Sequence, residues 1–363
     1  MKTSQTKVAT LLIGLAAGGI LADQATACTR VFLNNYPGYM ISARNLDFFG
    51  PVDPALVITP RGVDHNGGDN PKAAKWKTRY GSVVIYADGV FPMDGMNEKG
   101  LAGHTQYYAN GSQIQTSNKD KPVLESRAWL SYILDNFSTV NEAVSAIKND
   151  VRLEAKRMPI DYASDTKHIA IEDLSGDSAI IEIDNGKVNI YHDKSYQVMT
   201  NQPSFDKQLI NWAKYKNAPR EKIPGGQEPD QRFVRASFNL KNVPQPDNKD
   251  QAQGFILSVV NNVADPIGYP ESKEEQKELA VYEQYTKHPE QNKGDATYWT
   301  TIADLSHHEY HFKSVFAASQ VWVDLGQINF DAQQPVRQIK HLANYAQKGW
   351  EGNILTKAEP VKP

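Results

Sequence analysis

The stretch ATACTRVFLNN, residues 25–35, decides how this chain of 363 residues is interpreted. Its small-x-small triplet, residues 25–27, closes an N-terminal segment in which two lysines precede a mostly apolar run over residues 8–22. That order is typical of a secretory signal peptide, and the run is shorter than the roughly 20 residues that a membrane span needs. We therefore predict cleavage after Ala27, with an uncleaved N-terminal anchor as the alternative.

Cleavage at this point divides the chain into a signal peptide, residues 1–27, and a single domain, residues 28–363. It also predicts a periplasmic or secreted protein. Because the sequence has no further run that is long and apolar enough to span a bilayer, we expect no stable membrane insertion after processing.

Cys28, the one cysteine of the sequence, becomes the first residue of the mature chain. A single cysteine rules out an intrachain disulfide and a cysteine-based metal cluster. Its thiol can act as a nucleophile with its own α-amine as the base, since the ordinary pKa of a thiol, about 8.5, and that of an α-amine, about 8, make the proton transfer nearly isoenergetic. Cys28 can instead be a lipid anchor, although the lipoprotein signal prefers Leu where this chain has Ala25. A third interpretation is an inert buried side chain.

Composition narrows the class of protein. Apolar residues make up 40% and charged residues 22% of the chain, as in a folded globular protein. The 39 basic residues against 42 acidic ones leave a net charge of −3. With no basic excess to bind a phosphate backbone, nucleic acid is not an expected partner.

The order of elements predicts an α+β fold. Strand patterns and turn residues alternate first, amphipathic helical patterns follow, and the order then repeats. Predicted strands are residues 29–33, 39–43, 55–59, 82–86, 101–107, 168–172, 178–183, 188–191, 198–200, 297–304, 310–314 and 320–324, and predicted helices are residues 124–137, 140–147, 205–215, 232–239, 251–260 and part of 273–285. Antiparallel sheets with helices on their faces suit this order, and a four-layer αββα sandwich is one solution.

Arg44 and Asp47 follow a predicted strand within 20 residues of Cys28. A hairpin of the first two strands could bring both to the cysteine, where an arginine favours thiolate and a carboxylate orients the α-amine. A surface ion pair at a strand end is the alternative interpretation.

Asn201 lies in the segment TNQP, residues 200–203, at the end of a predicted strand. Its amide could donate to an oxyanion. Taken alone, an asparagine before proline is more often a turn-forming residue, which is the alternative interpretation.

The run HEYH, residues 308–311, is one residue short of the zinc-binding HExxH spacing, so we predict a solvated turn and no metal site there.

Six short segments in order resemble the choloylglycine hydrolase and penicillin V acylase family of N-terminal-nucleophile (Ntn) amidases. They are CTR at 28–30, ARNLD at 43–47, VITPRG at 57–62, MNEKGL at 96–101, TNQPSFD at 200–206 and RFVRA at 232–236. The resemblance covers most of residues 28–330 and implies the αββα sandwich of Ntn hydrolases. It also implies an amidohydrolase that acts on linear amides without a metal or cofactor.

The same resemblance assigns roles. Cys28 matches the nucleophile, Arg44 and Asp47 match the residues beside it, and Asn201 matches the side-chain oxyanion donor. Arg232 matches the active-site arginine, with Arg235 as the alternative one helical turn later.

Tyr107 occupies the position where bile salt hydrolases of the family carry asparagine and penicillin V acylases carry tyrosine. Its backbone amide is expected to complete the oxyanion hole. For the acyl pocket we consider the side chains near the nucleophile, although each is more simply interpreted as part of the core: Phe48, Phe49, Tyr86, Val90 and Phe91.

The 30 residues between Asn201 and Arg232 are fewer than in Gram-positive members of the family. Together with the export signal, this resembles the Gram-negative branch and implies hydrolysis of penicillin V and of N-acyl homoserine lactones. The missing part is a loop that helps those members form tetramers, so the subunit number stays open, with a homotetramer among the outcomes. Conjugated bile salts are the alternative substrates, and a lipid-anchored periplasmic binding protein is the alternative from another class.

Overall fold

The computed structural model describes residues 28–48, 52–108, 114–157, 164–268 and 296–361. The strands are β1 (Cys28–Leu33), β2 (Ile41–Phe48), β3 (Pro54–Thr59), β4 (Asp64–Asn66), β5 (Lys75–Lys77), β6 (Ser82–Ala87), β7 (Phe91–Asn97), β8 (Ala102–Tyr107), β9 (Val123–Glu125), β10 (Arg152–Glu154), β11 (Lys156–Arg157), β12 (Ser164–Asp165), β13 (Lys167–Glu172), β14 (Ser178–Asp184), β15 (Lys187–His192), β16 (Val198–Met199), β17 (Ala296–Asp304), β18 (Glu309–Ser314), β19 (Val321–Asp324), β20 (Arg337–Ile339), β21 (Gly352–Asn353) and β22 (Glu359–Pro360). The α-helices are α1 (Trp129–Asn136), α2 (Val140–Asn149), α3 (Phe205–Ala213), α4 (Pro229–Lys241) and α5 (Lys249–Asn261).

Two large sheets form the centre of the protein. The seven-stranded sheet has the order β16-β1-β2-β17-β18-β19-β21, and the nine-stranded sheet has the order β15-β14-β13-β8-β7-β6-β3-β20-β22. Neighbouring strands are antiparallel throughout, apart from the parallel pair of β19 and β21. Cys28 begins β1, which pairs with β2 on one side and with the short strand β16 on the other.

Three buried apolar clusters define the layers. Because side chains alternate along a strand, Val31 and Leu33 of β1 pack under α3, α4 and α5, while Phe32 points into the space between the two sheets. On the other sheet, Ile169 and Ile171 of β13 pack under α1 and α2. The layers are therefore helix, sheet, sheet and helix, which confirms the predicted αββα sandwich of the Ntn-hydrolase fold.

Several local predictions are confirmed, and others are corrected by tertiary pairing. Thr139 caps α2 by accepting a hydrogen bond from the backbone N–H of Glu142 at 3.2 Å. The predicted helix over 124–137 begins only at Trp129, because Val123–Glu125 is a strand that pairs with β10. The predicted helix within 273–285 lies outside the described residues.

Strand β7 was missed from the sequence, because Pro92 and Gly95 both oppose a strand prediction. The glycine is needed for a steric reason: a Cβ at Gly95 would lie 2.3 Å from the carbonyl oxygen of Val83 on β6. Strand β2 is longer than predicted and continues to Phe48, so Arg44 and Asp47 lie within the strand and not after it.

Within the described part of the chain, no helix combines the length and the apolar character that crossing a bilayer requires.

Candidate active site

Cys28 is the first residue of β1 and is buried, with 3% of its surface exposed. The antiparallel register places Leu46 of β2 opposite it on one side. On the other side Arg30 pairs with Met199, and two further residues of the same register bring Asn201 opposite Cys28. The sheet therefore brings together two residues that are 173 positions apart in the sequence.

The Asn201 amide is held in one orientation by three contacts. Its Oδ1 accepts from the backbone nitrogen of Cys28 at 2.7 Å and from Arg232 Nη2 at 3.0 Å. Its Nδ2 donates to the carbonyl oxygen of Tyr107 at 2.8 Å. Two donors on Oδ1 fix which end of the amide faces the cysteine, and Nδ2 carries a second hydrogen that can serve a ligand.

The backbone of Tyr107 faces the same point. Tyr108 donates its N–H to Thr166 on the β13 side, so Tyr107, one residue earlier, directs its own N–H and C=O to the opposite edge of β8. Asn201 Nδ2 lies at that edge, since it donates to the Tyr107 carbonyl. The Tyr107 N–H is thus directed to the region of Cys28 and Asn201, where an oxyanion donor is required.

Arg44 and Asp47 approach Cys28 from different faces of the seven-stranded sheet, because a spacing of three residues reverses the side-chain direction. Arg44 Nη2 donates to Cys28 Sγ at 3.5 Å and to the Thr105 carbonyl oxygen at 3.2 Å, between the sheets. The Asp47 carboxylate accepts from the Thr297 hydroxyl, and its main-chain oxygen lies 3.9 Å from Cys28 Sγ. Both residues predicted to lie beside the cysteine are at the site.

The structure places Arg232, and not Arg235, at Cys28. Arg232 Nη1 donates to the Cys28 carbonyl oxygen at 2.7 Å and lies 4.0 Å from Asp47 Oδ2. Arg235 instead donates to the carbonyl oxygens of Pro224, Gly226 and Asn262, and so fixes the segment before α4.

The surroundings of the Cys28 thiol act on its pKa in opposite directions. Burial raises the pKa and is the largest effect, while the Arg44 guanidinium lowers it. The Asp47 carboxylate raises the pKa further, its main-chain oxygen and Arg232 oppose that effect, and the net direction is upward. The resting side chain is accordingly a neutral thiol, which needs a base before it can attack.

An apolar cavity of about 160 Å³ opens beside Cys28. Its wall is formed by residues from β2, β6, β7, β8, β13 and adjoining segments: Leu46, Asp47, Phe48, Val52, Ala87, Asp88, Phe91, Met93, Thr105, Gln106, Tyr107, Thr166 and Lys167. Nearly all of the exposed cavity surface is carbon, as a site for an acyl group requires.

Two of the five predicted pocket residues, Phe48 and Phe91, line this cavity. Tyr86 was predicted wrongly: it alternates with Ile85 on β6, so it packs with the α1 and α2 layer and its hydroxyl lies 3.5 Å from Ser131. Val90 also does not contribute to the wall, since it is 47% exposed in the turn between β6 and β7. Phe49 lies outside the described residues.

Comparison with known proteins fits this geometry. The profile of linear amide C–N hydrolases, choloylglycine hydrolase family, matches residues 28–292. This chain belongs to that family. It is 35% identical to a penicillin V acylase from Pectobacterium atrosepticum over 91% of this chain and 88% of that protein.

Other members of the choloylglycine hydrolase family are also similar. A bile salt hydrolase/transferase from Clostridium perfringens is 29% identical over 70% of this chain and 84% of its own length. The solved structure of a penicillin V acylase from Agrobacterium tumefaciens superposes with a TM-score of 0.77 at 30% identity, covering 93% of this chain and 98% of the other. The protein is therefore an amidohydrolase of the penicillin V acylase and bile salt hydrolase type.

Sequence reasoning missed the buried residues that hold the predicted ones. Thr29 Oγ1 accepts from Arg232 Nη1 at 2.6 Å, Thr297 donates to Asp47, and Asp94 lies 3.4 Å from Arg44 while it accepts from the Tyr310 hydroxyl. Thr29 adjoins Cys28, so its place at the start of β1 was a usable signal. Asp94 and Thr297 gave none, because β17 reaches the site only through its pairing with β2, and β7 reaches it only through the packing of one sheet on the other. Among the described residues, no cluster of three histidine, cysteine, aspartate or glutamate side chains could hold a metal ion.

Proposed function

We propose that this protein is an N-terminal-nucleophile acylase that hydrolyses penicillin V and N-acyl homoserine lactones through the thiol of Cys28. One observation carries the proposal: both reactive atoms of Cys28 lie in one polar cluster beside an apolar cavity. Its nitrogen contacts Asn201 at 2.7 Å, and its Sγ contacts Arg44 at 3.5 Å.

The proposed reaction begins after removal of residues 1–27, when the nitrogen of Cys28 becomes an α-amine. The neutral thiol gives its proton to this amine, and the thiolate attacks the amide carbonyl. Asn201 Nδ2 and the Tyr107 N–H stabilise the oxyanion. Loss of one such donor typically raises the activation free energy by about 3–4 kcal/mol. The leaving amine takes the proton from the α-ammonium group, and water then hydrolyses the thioester to release the acid.

The groups around Cys28 support this sequence of proton transfers. Asn201 Oδ1 accepts from the cysteine nitrogen, so it orients the lone pair of the future amine. Arg232 holds both the Asn201 oxygen and the Cys28 carbonyl oxygen, and so fixes the nucleophile at two points. Arg44 offsets part of the effect of burial on the thiol pKa and thereby assists ionisation during attack.

The choice of substrate rests on the cavity and on Tyr107. Tyr107 is 36% exposed and is one of the residues that line the cavity. In this proposal its ring offers flat apolar surface to a phenoxyacetyl group or an alkyl chain. The same ring narrows the space for a rigid four-ring acyl group. The similarity to penicillin V acylases over nine-tenths of the chain supports the same choice.

A substrate panel tests the proposal. We expect a higher kcat/KM for penicillin V and for medium- or long-chain acyl homoserine lactones than for glycocholate. Since one such contact discriminates by about 1–3 kcal/mol, some cleavage of glycocholate is compatible with it. Glycocholate as the best substrate would favour the bile salt hydrolase alternative, and no cleavage of any amide, with a lipid-modified Cys28, would favour the binding-protein alternative.

Export and assembly are parts of the same proposal. We propose a periplasmic or secreted enzyme with a small-molecule amide as its partner and Cys28 as its mature N-terminus, without stable membrane insertion. A homotetramer is the assembly we would test first, by light scattering of the mature chain.

A further inference from the structure

Gln106 is a buried polar side chain on the wall of the apolar cavity. It lies on β8 beside Tyr107 and has no exposed surface. Side chains alternate on β8, and His104 projects between the sheets, where it contacts Ser42 and Glu172. Gln106 therefore projects into the same layer as Cys28 Sγ.

Neither amide atom of Gln106 has a hydrogen-bond partner among the described residues. Other polar groups of the same wall do have partners: the Thr105 hydroxyl donates to the carbonyl oxygens of Pro92 and Met93, and Asp88 accepts from the Asp53 N–H. A buried amide without a partner lowers stability relative to an apolar side chain of the same shape. An unpaired amide beside the nucleophile is therefore best explained by a partner that arrives with the substrate.

We propose that Gln106 Nε2 donates a hydrogen bond to an oxygen carried at the third atom of the acyl chain. The ether oxygen of a phenoxyacetyl group is that third atom itself, and the oxygen of a 3-oxo or 3-hydroxy fatty acyl group is bonded to it. This inference rests on the proposed function and names the acyl class that the site selects.

The placement of the acyl group leads to this assignment. The carbonyl carbon bonds to Cys28 Sγ while its oxygen faces the Tyr107 N–H, so the first atoms of the chain pass the neighbouring residue of β8, Gln106. Elsewhere the wall includes the apolar side chains of Phe48, Val52 and Phe91. An acyl group with one oxygen near its carbonyl end and an apolar remainder matches both parts of the wall.

The structural alternative is a buried water. His168 lies opposite Gln106 on β13, its Nδ1 pairs with Glu182 at 2.9 Å, and its Nε2 is also buried without a partner among the described residues. A water shared by Gln106 and His168 would make the glutamine a stabilising residue with no influence on substrate choice.

Two isosteric substrates separate these possibilities: penicillin V and the 3-phenylpropanoyl amide of the same amine, in which CH₂ replaces the ether oxygen. We expect the wild-type kcat/KM to favour penicillin V by about tenfold. In Gln106→Met the ratio of kcat/KM for penicillin V to kcat/KM for the analogue should fall towards one, because hydrolysis of penicillin V slows. Tm should stay equal or rise. Gln106→Leu is the second variant, and Val90→Ala, at an exposed residue outside the cavity wall, is the control that should keep the wild-type ratio.

Three outcomes overturn the inference. Equal wild-type rates on both substrates contradict it while the proposed function stands. A Gln106→Met protein with a lower Tm and equally reduced rates on both substrates indicates the structural alternative. A wild-type enzyme that cleaves neither substrate overturns the proposed function, and this inference with it.

Discussion

Cys28 Sγ is held in surroundings that favour the neutral thiol, and Arg44 is the strongest influence in the other direction. Burial raises the thiol pKa, while the guanidinium at 3.5 Å lowers it. A thiol in this balance ionises when the α-amine accepts its proton during attack, and the arginine limits the energy that the step requires.

Replacing Arg44 by glutamine removes the cation and should raise the Cys28 pKa further. With a weaker thiol acid, transfer of its proton to the α-amine requires more energy, so kcat/KM at pH 7 should fall about 10- to 100-fold. Arg44→Lys keeps the charge, so its kcat/KM should lie between that of the wild type and that of Arg44→Gln. Arg61→Gln is the matched control, since its side chain is 41% exposed in an ion pair with Glu98. An unchanged kcat/KM in Arg44→Gln would contradict the role of Arg44.

At the level of single residues, the sequence predicts the site best where a residue is close to Cys28 or ends a strand that pairs with β1. Arg44 and Asp47 meet the first condition, and Asn201 meets the second through the register of β1 and β16. Tyr86 was misplaced because closeness along the chain does not determine the face of a strand. Asp94 and Thr297 could not be found, since Thr297 reaches the site through the pairing of β17 with β2, and Asp94 reaches it from the other sheet.

Among the elements, β1, β8 and β13 are joined by a buried charge network between the sheets. Arg30 of β1 forms an ion pair with Glu172 of β13, and His104 of β8 lies 2.7 Å from the same carboxylate. All three side chains are buried. Burial acts to raise the pKa of Glu172, but Arg30 and His104 outweigh it and hold the pKa at about 2.

Glu172→Gln leaves Arg30 buried without its counter-charge and should lower the free energy of unfolding by about 3–5 kcal/mol. The Glu172 pKa is lower in the folded protein than the unfolded value of about 4.3, so the carboxylate stabilises the fold above pH 4.3. That contribution is lost as the pH falls from 4.3 towards 2. Urea unfolding at pH 7, 5 and 3 measures it.

Between pH 5 and pH 3, Glu172→Gln should lose less of its free energy of unfolding than the wild type, because it lacks the Glu172 carboxyl that titrates in this range. The double variant Arg30→Met, Glu172→Leu is the control, since it removes both charges and should recover much of the loss. A Glu172→Gln protein as stable as the wild type at pH 7 would contradict the importance of the network.

Elements are predicted from the sequence where local pattern and tertiary pairing agree. The strand patterns of β1, β13 and β14 show their burial directly, and the capping box of α2 is local. Strand β7 contradicts its local pattern, because Gly95 is needed for the close approach to β6 and Pro92 lies beside a shift in the pairing register. The segment before α1 also contradicts its local pattern. A helix was predicted from residue 124, but Val123–Glu125 is a strand that pairs with β10, which comes later in the chain.

For the whole molecule, the sandwich determines where the reaction can occur. Cys28 starts a strand inside the seven-stranded sheet, Tyr107 ends a strand inside the nine-stranded sheet, and the cavity opens where these two ends meet. Helix α4 adds Arg232 from the outer layer. The site therefore requires both sheets and one helical layer, and its nucleophile can be an N-terminal residue only if residues 1–27 are removed.

The most direct test compares a chain that begins at Cys28 with a chain that retains Ala27, each verified by intact mass and circular dichroism. With the α-amine blocked as an amide, the thiol loses its base, and kcat/KM for penicillin V should fall about 100- to 10,000-fold. Cys28→Ala gives the background rate. Full activity of the verified extended chain would contradict the N-terminal-nucleophile mechanism.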